Sequence, residues 1–154
     1  MKRICLILLL AVLIGQTLAF AQNKALNLDG TGDQVEVKDS PSLRISQSVT
    51  MEAWVKPRSR GNFFGVISKG DNNNDLGAHE DYALFLSNNT ILTWFNWPES
   101  SSVGGSPNLT HTEWVHLAVT WDGEIIKFFV NARLDKDFKF EGNINSSSAK
   151  LNIV

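Results

Sequence analysis

The chain has 154 residues, a formal charge of −2 at pH 7, 43% hydrophobic residues and a single cysteine. Its lysines and arginines are dispersed among a slight excess of acids, so no basic footprint for nucleic acid or anionic lipid is expected. One cysteine cannot close an intrachain disulfide, and the fold must be held by its core.

Residues 1–21 read as an export signal. Lys2 and Arg3 give a positive start, residues 4–14 are unbroken apolar, and Ala19-Phe20-Ala21 forms a small-residue cleavage site before Gln22. The apolar run is 11 residues, against about 20 needed to cross a bilayer, so no membrane anchor is expected. Removing Lys2 and Arg3 leaves 12 basic against 16 acidic residues, a charge of −4, and removes Cys5. The product, 22–154, is expected to be a single secreted or periplasmic domain.

No helical period lasts beyond a turn or two. Short apolar runs at 25–28, 34–38, 49–56, 63–69, 82–87, 91–96, 114–121, 125–131, 133–140 and 149–154 are separated by Gly, Asn, Asp, Ser and Pro clusters. This is the pattern of an all-β antiparallel sandwich. Alternation is clearest in 49–56. Val49, Met51, Ala53 and Val55 share a core face, while Thr50, Glu52, Trp54 and Lys56 share the other, so Trp54 stands among polar neighbours. The segments 70–81 and 98–112 are expected to be long polar loops. Runs 114–121 and 125–131 flank Asp122-Gly123, which predicts a hairpin with a tight type I′ turn. In its second arm Ile126, Phe128 and Val130 oppose Ile125, Lys127 and Phe129. Both faces are apolar, so this sheet is expected to be covered at least in part on both sides. The run 149–154 has no turn or return strand after it, and an unpaired final strand would leave an exposed edge, so either a partner is expected to cover it or the sequence is expected to be incomplete.

The order Ala25-Leu26-Asn27-Leu28-Asp29-Gly30, Gln34-Val35-Glu36-Val37, 49–57, Ile67-Ser68-Lys69-Gly70, Tyr82-Ala83-Leu84 and 114–123 leading to Phe129-Val130-Asn131 resembles the laminin-G-like, concanavalin A-like jelly-roll family of lectin and adhesion domains. The resemblance covers about 25–154 and implies a two-sheet jelly-roll sandwich. Two departures stand out. The family usually has Asn-Gly after the second hairpin arm, where this chain has Asn131-Ala132. Alanine at positive φ costs roughly 1 kcal/mol, so that turn is expected to differ or to be strained. The family also continues past residues 151–154 with a glycine-rich turn and a closing strand.

Related sandwich folds include glycoside hydrolases, which need two carboxylates roughly 5 to 10 Å apart across a cleft. Glu52 has no acidic partner at 50, 54 or 56; Glu80 and Asp81 would face opposite ways; Asp135 and Asp137 lie in a lysine-rich run. The expectation is a non-enzyme. His79, His111 and His116 form no triad with a nucleophile, and His116, sharing a face with Trp114 and Ala118, reads as a packed or half-exposed sheet histidine. Calcium is the metal candidate, because hard oxygen ligands are dense at Asp71 to Asp75. The resemblance adds Asp29, since calcium-binding relatives use an aspartate near the first strand. For sugar stacking, Trp94 and Asn96 share one face of an extended segment and Phe95 and Trp97 the other; one pair should be core. The remaining pair, with Trp54, would make an exposed platform, rimmed by His79, Asp81 and Tyr82. The expected function is a secreted, non-catalytic recognition module with a glycan as partner; the alternatives are a protein–protein adhesion or structural module that meets an extracellular protein, or an accessory domain of a larger extracellular enzyme.

Overall fold

The structure, a computed structural model, describes residues 24–29, 31–58, 64–70, 80–88, 90–95, 101–106, 109 and 112–154. Ten strands appear in them: β1 (Val35–Val37), β2 (Val49–Val55), β3 (Phe64–Gly70), β4 (Glu80–Ser87), β5 (Thr90–Phe95), β6 (Ser101–Gly104), β7 (Val115–Trp121), β8 (Ile125–Val130), β9 (Arg133–Lys139) and β10 (Leu151–Ile153), with one 3-10 turn at Pro41–Leu43. They form two antiparallel sheets, one ordered β1-β10-β3-β4-β5-β6 and the other β2-β7-β8-β9. The fold is the expected all-β sandwich.

Alternation builds the core. Val49 and Met51 of β2, Val115, Leu117, Val119 and Trp121 of β7, and Ile126 and Phe128 of β8 face Val66, Tyr82, Leu84, Leu86 and Ile91 of the six-stranded sheet. Each such side chain, fully buried, contributes roughly 1.5–3 kcal/mol. Trp121 also donates its indole N–H to the carbonyl of Phe140 at 3.0 Å, which satisfies the one polar atom it carries inside.

Several local expectations are corrected. The run 25–28 forms no strand, and Leu26 is exposed. The segment expected to be a loop at 98–112 contains β6, which pairs with β5 in the register Leu92↔Gly104 to Phe95↔Ser101. The terminal run is not an edge. β10 lies between β1 and β3, with Asn152 opposite both Glu36 and Ser68, so its backbone has a ladder on both sides.

The two hairpin turns exchange characters. Trp121 pairs with Ile126, so four residues lie between them and the turn is wider than type I′. Of its residues only Gly123 has positive φ, +98°. The Asp122 carboxylate accepts the N–H groups of Glu124 (3.0 Å) and Ile125 (2.7 Å), closing the turn with a side chain. Those bonds hold the Asp122 carboxyl below the usual carboxylate range. The type I′ turn sits at Asn131-Ala132 instead, with φ 49° and 62° between the paired Val130 and Arg133.

The outer face of the four-stranded sheet is only partly covered. Ala118 is buried, Ile125, Lys127 and Phe129 are half-buried, and Trp54 and Leu134 are exposed.

Candidate functional site

The alternation that sends Val49 and Met51 inward sends Thr50, Glu52 and Trp54 outward, and Trp54 is 65% exposed. Across the ladder Trp54 pairs with His116 of β7. Their ring centroids are 5.3 Å apart at an interplanar angle of 46°. The His116 Nε2 lies 3.5 Å from the Glu52 carboxylate. The backbone beneath is fixed by the type I′ turn: the His116 N–H donates to the Asn131 side-chain oxygen (3.0 Å) and the Asn131 N–H donates to the His116 carbonyl (2.8 Å). Trp114, two residues before His116, is 49% exposed and adds a second indole at that end of β7. Beside this group the row Glu52, Ala118, Phe129, Leu134 crosses all four strands. The arrangement offers an open aromatic face, flanked by an imidazole and a carboxylate, on rigid strands. Sequence reasoning found Trp54 by alternation and placed Trp114 and His116 on one face, but it did not join them to Trp54 because strand register was unknown.

Trp94 belongs to the other sheet. Its backbone pairs with Ala83 in β4, so Trp54 and Trp94 stand in different layers and no single sheet face carries both. The platform expected from uniting them is corrected accordingly. The row crossing the six-stranded sheet at that level runs from residue 94 through Ala83 and Ser68 to Asn152 and Glu36. Ser68 and Asn152 are each 1% exposed, and the Ser68 hydroxyl and both polar atoms of the Asn152 amide lack a hydrogen-bond partner. Asn96, Trp97 and His79, and the Asp71 and Asp75 of the expected calcium loop, lie outside the described residues, as does the signal segment.

Asp81 and Tyr82 do not rim a surface. Tyr82 is 2% exposed, within the core, and its hydroxyl donates to the carbonyl of Leu43 at 3.0 Å. Burial, with the charges of Asp81 and Asp39 adding, pushes the phenol up to about 12. Asp81 is the extra residue of a β-bulge, where the register steps from Lys69↔Tyr82 to Gly70↔Glu80. A bulge re-aims the side chain it carries, and here the carboxylate meets Lys69 inside the protein. The Lys69 ammonium, fully buried, lies 3.2 Å from Asp81 and 3.2 Å from Asp39, and donates to the carbonyls of Ser147 (3.0 Å) and Ala149 (2.7 Å). Asp81 also accepts the N–H and hydroxyl of Ser147 at 2.8 and 3.0 Å. Asp39 is paired outward with Arg44, and that bond, then Lys69, lowers its pKa. Sequence reasoning missed this group, since Lys69 reads as the polar end of an apolar strand.

Asp29 is exposed and closes its own turn. Its carboxylate accepts the Thr31 N–H at 2.7 Å, and its N–H donates to Asp33 at 3.2 Å. Among the described residues no group of three or more His, Cys, Asp or Glu side chains is set to hold a metal ion, and no helix is long and apolar enough to cross a membrane.

A sequence profile of the concanavalin A-like lectin/glucanases superfamily matches residues 29–154. No curated protein sequence matches the chain. Among solved structures, the chain is similar to the CBM40 domain of the Ruminococcus gnavus IT-sialidase, solved bound to α2,3-sialyllactose. That likeness has a TM-score of 0.62 at 10% identity, over 79% of this chain and 76% of that one. It is similar to the receptor binding domain of botulinum neurotoxin D (TM-score 0.61, 15% identity, 86% of this chain and 38% of that one). The binding domain of Paraclostridial Mosquitocidal Protein 1 is also similar (TM-score 0.60, 12% identity, 78% and 32%). The chain thus spans about a third of the length of the two toxin structures. At these identities the likeness is one of fold.

Proposed function

The chain belongs to the concanavalin A-like lectin/glucanase superfamily, and we propose that it is an exported, non-catalytic module that binds glycans on the Trp54–His116 face of its four-stranded sheet. The observation that carries this is the exposed Trp54 indole held beside His116 and Glu52. A flat, exposed indole accepts the C–H face of a pyranose ring, and a carboxylate and an imidazole at its border accept and donate hydrogen bonds to ring hydroxyls. Because these groups sit on paired strands, little ordering is needed on binding. The sialyllactose bound by the Ruminococcus gnavus domain supports a glycan as the class of partner.

The test is a glycan array of the purified protein followed by titration of any hit. Trp54→Ala should weaken binding at least about tenfold, equivalent to about 1.4 kcal/mol, with the circular dichroism spectrum unchanged. A silent array would remove the glycan, and unchanged affinity in Trp54→Ala would remove this face. A protein partner is the second reading, favoured by Leu134, which is 56% exposed in the row beside Trp54. In that case Leu134→Glu should weaken capture of the partner as strongly as Trp54→Ala, whereas sugar stacking on the indole should be indifferent to Leu134.

A further inference from the structure

The Lys69 ammonium is surrounded by oxygen. Two come from carboxylates, Asp39 and Asp81, at 3.2 Å each, and two from the backbone carbonyls of Ser147 and Ala149, at 3.0 and 2.7 Å. These groups arrive from separate parts of the chain: the segment after β1, the bulge of β4, and the approach to β10. Carboxylates plus backbone carbonyls, gathered from distant segments around a buried positive charge, are the donor set of a hard-cation site. An ammonium is the only side-chain cation small enough to occupy such a centre as a point charge. We propose that Lys69 is this domain's tethered structural cation, filling a calcium-type oxygen shell and locking the 147–149 segment to the sheet without a metal ion.

The chemistry is specific. An ammonium has three donors, so four oxygens within 3.2 Å are held by charge as well as by hydrogen bonds. Calcium takes oxygens at about 2.3–2.6 Å, so the shell need contract by only roughly 0.5 Å to accept it once the lysine is gone. Without Lys69, Asp39 keeps Arg44 as a partner, but Asp81, 1% exposed, is left as a buried carboxylate with no cation, which is strongly unfavourable. Removing the Lys69 side chain should therefore leave both a destabilised fold and a vacant shell with affinity for divalent ions. This goes beyond the glycan proposal and does not depend on it.

The experiment compares the full chain with Lys69→Ala and Lys69→Met by thermal unfolding in EDTA and in a CaCl2 series, with Tb3+ luminescence as a direct binding readout. Lys69→Ala should melt well below the parent in EDTA and recover by about 10 °C when calcium is near a hundredfold above its Kd. It should also show Tb3+ emission that the parent lacks and that calcium competes away. Lys69→Met fills the same volume without charge or room and should gain no more from calcium than the parent does. If Lys69→Ala fails to fold in EDTA, refolding in CaCl2 that restores the β-sheet circular dichroism spectrum supports the proposal, and failure in both buffers overturns it. The proposal also falls if Lys69→Ala gains no more from calcium than the parent, or if Lys69→Met gains as much.

Discussion

Ala132 occupies the left-handed region at φ 62°, directly after Asn131 at φ 49°. Asparagine tolerates that conformation because its short polar side chain bonds locally; alanine has only its Cβ, which crowds the following carbonyl. The side-chain oxygen of Asn131 accepts the His116 N–H, so the first position of the turn is tied to β7. The ladder on either side then forces the second position into the same region. Ala132→Gly should therefore raise stability by a few tenths of a kcal/mol, roughly 1 kcal/mol of Cβ strain removed less about half of that for the extra freedom glycine gives the unfolded chain. A higher urea midpoint with an unchanged slope is the expected result; a lower midpoint would mean the turn carries no strain. The same turn supports the strand bearing His116, so binding at Trp54 should survive this substitution. At this scale the sequence was informative: the absence of the usual glycine announced the strain, and alternation announced Trp54. What it did not convey was the partner of each residue, because a pairing such as Trp54↔His116 is a fact of register between strands 60 residues apart in the chain.

At the scale of elements, most strands were legible because β-branched and aromatic residues alternate between turn residues, and the boundaries shift by only a residue or two. The misses share a cause. β6, Ser101–Gly104, has no apolar alternation of its own and exists by pairing with β5. The run 25–28 has the composition of a strand but pairs with none of the described strands. The bulges that aim Asp81 at Lys69 and skip Asp135 between Phe128↔Lys136 and Phe129↔Leu134 depend on register and leave no compositional trace. β10 is the most consequential case. Read from the chain it is a terminal run beside open solvent; in the fold it is an interior strand that joins β1 to β3. Deleting residues 150–154 should thus remove both ladders at once, along with the Lys150–Glu36 ion pair. β1 loses β10, the one strand it pairs with among the described residues, and β3 becomes a raw edge carrying Ile67. The truncated protein is expected to bind more hydrophobic dye and to aggregate faster on standing than the full chain; a soluble, cooperatively unfolding truncation would show that the β1–β10–β3 ladder is dispensable.

The whole molecule places its charges unevenly, and its response to pH follows from that. Most ionisable groups of the described residues are exposed, and pairs such as Lys139–Glu141 raise the lysine and lower the glutamate while contributing little in water. The interior instead holds the Lys69 cluster with Tyr82 against it. On the acid side, Asp39 is lowered in the folded state by Arg44 and then Lys69, so its contribution is complete above the ordinary carboxylate pKa of about 3.9 and is lost as pH falls through the lowered value. On the alkaline side Tyr82 governs. Its phenol titrates near 10 when unfolded and is pushed to about 12 when folded. Between these values the unfolded chain has released the proton and the folded protein still holds it, so stability must fall as pH rises. Burial is the leading cause, and the neighbouring carboxylates of Asp81 and Asp39 oppose a phenolate further. Tyr82→Phe separates this effect from the hydroxyl's structural role. At neutral pH it should cost about 1 kcal/mol through the lost bond to the Leu43 carbonyl. Between pH 10 and about 12 its urea midpoint should decline much less than the parent's, so that the two curves converge. Parallel curves across that window would show that Tyr82 ionises as freely in the fold as outside it, and that the core does not exclude its charge.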